Sequence, residues 1–216
     1  MALPRFLVLV CSILVLASPS RAVAGPPGDD DAALVRLERV AERSGLRRQV
    51  LKSALDAYAR ARNDGITHRP VLTVIDYSLP SRRRRFWVLD VETGRVLARE
   101  LVAHGRKSGE DVAERFSNEP GSLQSSLGTF VTGGVYRGKH GRSLRLVGLD
   151  RGINDQAEAR GIVIHGADYV SEGFVRRVGR LGRSEGCPAL RTAVARQVIE
   201  LIRDGTVVYA YYPGVS

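Results

Sequence analysis

The chain has 216 residues, of which 44% are hydrophobic, 26% charged and 6% aromatic. That size and apolar share suit one globular domain, or one domain with a small helical appendage, and exclude a disordered or collagen-like chain. Basic side chains outnumber acidic ones 33 to 23, a net charge of +10, and arginine carries nearly all of it because Lys52, Lys107 and Lys139 are the only lysines.

At the N-terminus Arg5 precedes the apolar run Phe6–Ala17, and Ala22-Val23-Ala24 supplies an Ala-x-Ala site. A basic start, a short apolar core and small residues at the cut are the parts of a secretory signal peptide, expected to occupy residues 1–24. The run is shorter than the ~20 residues a membrane-spanning helix needs, so no stable membrane span is expected after cleavage. Cys11 lies inside the run, which leaves Cys187 as the one cysteine beyond it and no partner for an internal disulfide.

Residues 25–66 read as a linker and a helical hairpin. Gly25-Pro26-Pro27-Gly28 is followed by Asp29-Asp30-Asp31, acids suited to a helix start. Leu34, Leu37, Val40 and Ala41 recur at helical spacing, and Ser44-Gly45 ends the run. Leu46, Val50, Leu51, Ala54, Leu55 and Tyr58 mark a second amphipathic helix that stops near Asn63-Asp64-Gly65. Neither helix buries its stripe alone, so the pair is expected to pack on the main domain, residues 67–216.

From Val71 the hydrophobic period shortens. Strands are expected at Val71–Tyr77, Arg85–Glu92, Arg95–Ala103, Thr129–Tyr136, Ser143–Val147, Gly161–His165 and Thr206–Tyr212, with Thr93-Gly94 as a tight turn. Ser171–Val178 and Thr192–Arg203 read as helices, and Gly105–Gly128 as a long loop of the kind that carries function. The fold class is mostly β with flanking helices. The run Arg82–Arg85 falls between two strands after Pro80-Ser81 and reads as a solvated loop. It has no aromatic interleaving, and no nucleic-acid partner is implied. An anionic envelope polymer is a possible partner for the net positive charge.

Two motifs carry chemistry. Ile162-Val163-Ile164 leads into His165-Gly166, which sets an imidazole at the end of a buried strand. Nineteen residues after His165 begins Ser184-Glu185-Gly186-Cys187-Pro188, which sets a thiol on a glycine-relaxed turn. Successive inward N–H groups on such a turn suit an oxyanion site. A free thiol is weakly ionised near neutral pH, so a positioned imidazole is what makes it a nucleophile. No close ligand pair of the Cys-x₂-Cys or His-x₃-His kind occurs, so no metal or other cofactor is implied.

At these residues the sequence resembles the L,D-transpeptidase catalytic domain family, YkuD-like, in its branch with a Ser-x-Gly-Cys-Pro-Ala motif. Val102-Ala103-His104-Gly105, Phe116-Ser117-Asn118, Ser125-Ser126-Leu127-Gly128, Gly138-Lys139-His140-Gly141, Gly152-Ile153-Asn154, His165-Gly166-Ala167-Asp168-Tyr169 and Gly179–Ser184 extend the likeness over about Leu46–Pro213. The resemblance implies a β-sandwich acting on the peptide stems of peptidoglycan. It implies Cys187 as nucleophile, His165 as base and the Gly166 carbonyl as third member. Ser184 and Gly186 shape the turn, and the N–H groups of Gly186 and Cys187 form the oxyanion site. Tyr136, His140, Arg145, Arg183 and Arg191 are the expected substrate contacts. Two positions depart from the commoner family pattern: Glu185 stands where a histidine precedes Gly-Cys, and Ala189 where a polar residue follows two after the cysteine. His104 is expected to be structural, His68 solvated, and His140 either a substrate contact or a loop-packing residue.

Three readings follow. The first is an exported cysteine acyltransferase that forms 3→3 crosslinks. The second uses the same site with water as acceptor, an L,D-carboxypeptidase. The third is a non-catalytic cationic wall-binding module with an inert thiol. A catalytic Cys187 is expected to alkylate fast near neutral pH.

Overall fold

A computed structural model describes residues 29–214, and the side chains from Val35 onward. The expected signal peptide, Cys11 and the Gly-Pro lead-in lie outside the described residues. No helix among the described residues is long and apolar enough to cross a membrane.

Helices α1 (Asp29–Arg43) and α2 (Arg48–Asn63) form the hairpin. Nine strands follow: β1 (Val71–Asp76), β2 (Phe86–Asp90), β3 (Arg95–Glu100), β4 (Val102–Ala103), β5 (Gly128–Gly138), β6 (Gly141–Gly148), β7 (Val163–Ala167), β8 (Ala189–Arg191) and β9 (Val207–Tyr211). α3 (Glu172–Val178) and α4 (Thr192–Ile202) flank β8 in sequence. All nine strands join one sheet in the order β3-β2-β1-β9-β5-β6-β7-β8-β4. β3 and β4 sit at opposite ends of that order, yet Leu101 alone separates them in the chain. One residue spans about 3.8 Å, so the sheet must roll until its two edges meet, and the result is a sandwich.

Strand parity explains why β1, β2 and β9 read as continuous apolar runs. Successive side chains point to opposite faces, and here both faces are covered. Val71, Ile75, Phe86, Val88, Val208 and Ala210 enter the inner core with Val198, Ile199 and Ile202 of α4. Leu72, Val74, Trp87, Leu89, Val207 and Tyr209 face the other way, onto Leu37, Ala41, Val50, Leu51 and Ala54 of the hairpin. The hairpin therefore shares a core with the sheet, and each large side chain buried there contributes roughly 1.5–3 kcal/mol.

The structure corrects the sequence reading in three places. The strand expected at Arg95–Ala103 is broken at Leu101, where the chain crosses between sheet edges. β8 was not expected, because three residues after Pro188 carry no periodicity to read. The arginine run is a solvated loop only in its first half: Arg82 and Arg83 are exposed, whereas the chain folds Arg84 and Arg85 inward. Arg82 pairs with Asp111, Arg84 with Glu100 and Glu172, and Arg85 is fully buried. Arg85 donates to the carbonyls of Val102 and Leu79 and to Nδ1 of His104, the last at 2.7 Å. These carbonyls lie where the rolled sheet closes, and a guanidinium is what satisfies them. Burial lowers the Arg85 pKa to about 10, so the group stays charged at neutral pH.

Candidate active site

β7 supplies the imidazole. Ile162 and Ile164 point into the inner core, so Val163 and His165 face the opposite side and line a cavity of about 400 Å³. His165 is buried, and its Nδ1 lies 2.9 Å from the Gly166 carbonyl oxygen. A carbonyl only accepts, so Nδ1 carries the proton and Nε2 keeps its lone pair. Gly166 is where α4 crosses β7: a Cβ there would lie 3.1 Å from the Cβ of Ala195 and 3.2 Å from the Cα of Thr192.

The thiol comes from the turn between Leu181 and β8. Ser184 N–H donates to the His104 carbonyl and Arg106 N–H to the Ser184 carbonyl, so the turn hangs from the strand that continues β4. Ser184 Oγ accepts from Gly186 N–H at 3.1 Å and donates to the Cys187 carbonyl at 2.6 Å. Gly186 has φ +127°, and a side chain there would press on the Gln124 carbonyl. Glycine is required on both counts. Cys187 is half-buried, lines the same cavity as His165 and points its Sγ at the Gly161 carbonyl, 3.7 Å away. One expectation changes: the Gly186 N–H is used inside the turn and is not offered to the cavity.

Burial pushes the Cys187 thiol above its ordinary value, with the Val163 N–H, Lys139 and Arg160 pulling the other way and Glu185 adding to the rise. Burial likewise lowers the His165 imidazole, opposed by its bond to Gly166 and reinforced by His140 and Lys139. Burial thus acts on both groups in one sense, favouring the thiol over the thiolate and the imidazole over the imidazolium.

The expected substrate contacts divide. Tyr136, His140 and Arg183 line the cavity. His140, at the tip of the β5–β6 hairpin, stacks on His165 with ring centroids 4.3 Å apart. Arg145 lies outside the lining but stacks its guanidinium on Tyr136, 4.6 Å from the ring centroid. Arg183 is tied to Glu110 at 2.6 Å and to the Gly109 carbonyl. Arg191 is not brought to the cavity, because Glu100 holds its guanidinium with both carboxylate oxygens. His104 is fully buried: its Nδ1 accepts from Arg85, so Nε2–H donates to the Gly109 carbonyl. Burial and the Arg85 charge lower its pKa to about 3. His68 is exposed.

Six lining residues were not among the expected site residues: Lys139, Val163, Tyr169 and Glu185, which lie in the quoted motifs, and Arg160 and Gly161, which do not stand out in the chain. Tyr169 was within reach, since Gly182 leaves no room for a side chain against its ring. Arg160 gave no local signal. Its two terminal nitrogens bind Ser117 O, Ser126 Oγ, Ser122 Oγ and Gln124 O, which clamps residues 117–126 beside Gly186.

The β-sandwich thus presents a cavity lined by both a cysteine and a carbonyl-keyed histidine. Residues 42–211 match the family model of the L,D-transpeptidase catalytic domain, and the chain belongs to that family. No curated protein matches its sequence. Similar solved structures include an L,D-transpeptidase from Mycobacterium smegmatis, 17% identical, TM-score 0.41, covering 66% of this chain and 59% of that one. A helical cell shape determining protein from Campylobacter jejuni is 15% identical, TM-score 0.44, with 65% and 46% covered. An L,D-transpeptidase from Xylanimonas cellulosilytica is 17% identical, TM-score 0.38, with 84% and 80% covered. The chain thus spans less than two thirds of the length of the first two.

Proposed function

We propose that the protein is an exported, cysteine-dependent L,D-transpeptidase of peptidoglycan. The observation that carries this reading is His165, locked by the Gly166 carbonyl with Nε2 free, in one cavity with Cys187. Nε2 takes the thiol proton as Sγ attacks the carbonyl of the third stem residue. The tetrahedral intermediate collapses, its C–N bond to the terminal residue breaks, and His165 returns the proton to the departing amine. A stem amine then attacks the thioester, giving up a proton through His165, and the thiol is regenerated as the 3→3 crosslink forms. Water in place of that amine gives L,D-carboxypeptidase activity from the same residues.

Residues 1–24 act as the signal peptide, residues 25–66 as linker and hairpin, and residues 67–216 as the catalytic unit, which works in the periplasm or at the cell wall. Tyr136, His140 and Lys139 receive the stem peptide, and anionic envelope polymers are secondary partners of the basic surface. The test is to incubate the purified protein with tetrapeptide muropeptides and identify the products by mass. Crosslinked dimers or trimmed tripeptides, both lost in Cys187→Ala, are expected. Unaltered muropeptides would refute the activity and favour a non-catalytic wall-binding module.

A further inference from the structure

Ser125 sits in the long loop between β4 and β5, 61 residues before the turn that carries the thiol-preceding glycine. It is 1% exposed and lines no described cavity. Its hydroxyl accepts from the Gly105 N–H at 3.0 Å and lies 3.1 Å from the Gly186 carbonyl oxygen. Between these two partners the direction is set: an N–H only donates and a carbonyl only accepts, so Ser125 donates to Gly186. Its own N–H donates to Ser108 Oγ at 2.9 Å, which fixes the residue from a third direction.

The Gly186 carbonyl and the Cys187 N–H belong to one peptide plane, and in a trans peptide they point in opposite directions. Whatever holds the carbonyl therefore aims the N–H. Gly186 has no Cβ to hold that plane sterically, so a hydrogen bond to its carbonyl is what fixes the orientation. The neighbouring Gly186 N–H is already given to Ser184, whereas the Cys187 N–H belongs to the nucleophile itself and is the donor nearest to a developing oxyanion on the attacked carbonyl. A hydrogen bond accepted by the carbonyl also polarises the N–H of the same amide.

We infer that Ser125 is a positioning residue that orients and strengthens the Cys187 N–H as oxyanion donor, acting from a remote loop through the Gly186 peptide plane. The inference rests on the acyl-transfer reading above. Its chemistry separates two reactions of the same thiol. Attack on a carbonyl builds an oxyanion, whereas displacement of iodide from iodoacetamide does not.

The experiment measures, for wild type and Ser125→Ala, the rate of Cys187 acylation by a carbapenem and of alkylation by iodoacetamide, both by intact mass. Acylation is expected to fall by about 10- to 100-fold, less than or equal to the loss of a whole oxyanion donor, while alkylation stays within about twofold. Ser125→Thr, which keeps the hydroxyl, should restore acylation. Ser108→Ala, which loosens the loop but leaves the Gly186 contact, should keep the ratio of the two rates. Should Ser125→Ala fail to fold, Ser125→Cys keeps the shape with a weaker donor, and adducts are then assigned to Cys187 by peptide mapping. Equal slowing of both reactions, or unchanged acylation, overturns the inference while the acyl-transfer reading stands. A wild-type Cys187 inert to the carbapenem but open to iodoacetamide overturns both.

Discussion

At the scale of single residues, burial of the thiol and the imidazole sets the expected pH behaviour. His165 must be unprotonated to take the thiol proton, and burial holds its pKa below the ordinary 6.5. The acid limb of kcat/KM is therefore expected below pH 6.5, and a limb above that value would show that another group is the base. His165→Gln should lower turnover by about 10²–10⁴-fold, the span of general base catalysis, while His68→Ala leaves it unchanged. His104 works on stability instead. Its folded pKa of about 3 lies below the unfolded value, so the unfolded chain binds the extra proton between those limits. Stability is then complete above pH 6.5 and is lost as pH falls toward 3, by an amount on the order of 5 kcal/mol. Denaturant titrations across that range should show the slope in wild type, and a shallower one in His104→Gln at its own lower baseline. An unchanged slope would mean that another group carries the acid sensitivity.

At the scale of elements, the turn bearing Cys187 depends on segments distant in sequence. The strand extension after β4 holds Ser184 through His104 and Arg106, and the Arg160 clamp fixes the loop behind Gly186. Arg160→Ala frees two carbonyls and two hydroxyls, and the expected result is loss of hydrogen-exchange protection confined to residues 105–128, with lower turnover. Uniform loss over the whole sheet would make Arg160 a global support instead. Such couplings explain what the sequence did and did not disclose. Helices α2 and α4 and the long strands were legible because their apolar spacing repeats over several residues. The pair His165 and Cys187 was legible because each sits in a short motif. Arg85 was misread because a charge run looks the same whether solvated or folded inward, and only closure of the sheet brings the Val102 carbonyl to it. β8 and Arg160 were invisible, and Ser125 stood only as one residue of a family-like segment, for a related reason: their roles come from partners many residues away.

On the scale of the whole molecule, the hairpin and the sheet share one apolar core, and the rolled sheet closes on itself through Leu101. Helix and sheet are thus expected to unfold together. Leu51→Ala, in that shared core, should cost about 2–5 kcal/mol. Fluorescence of Trp87, which faces the hairpin, and far-ultraviolet circular dichroism should report one coincident transition, and separate midpoints would mean an independently stable hairpin. The same architecture leaves one thiol among the described residues, at Cys187, in the cavity that His165 also lines. The most direct measurement of the central claim is intact mass of the protein, without residues 1–24, trapped during turnover of a tetrapeptide stem. The expected result is one adduct per chain with the mass of the stem less its terminal residue, mapped to Cys187 and absent in Cys187→Ala. Turnover that persists in Cys187→Ala, or an adduct on any other residue, would contradict it.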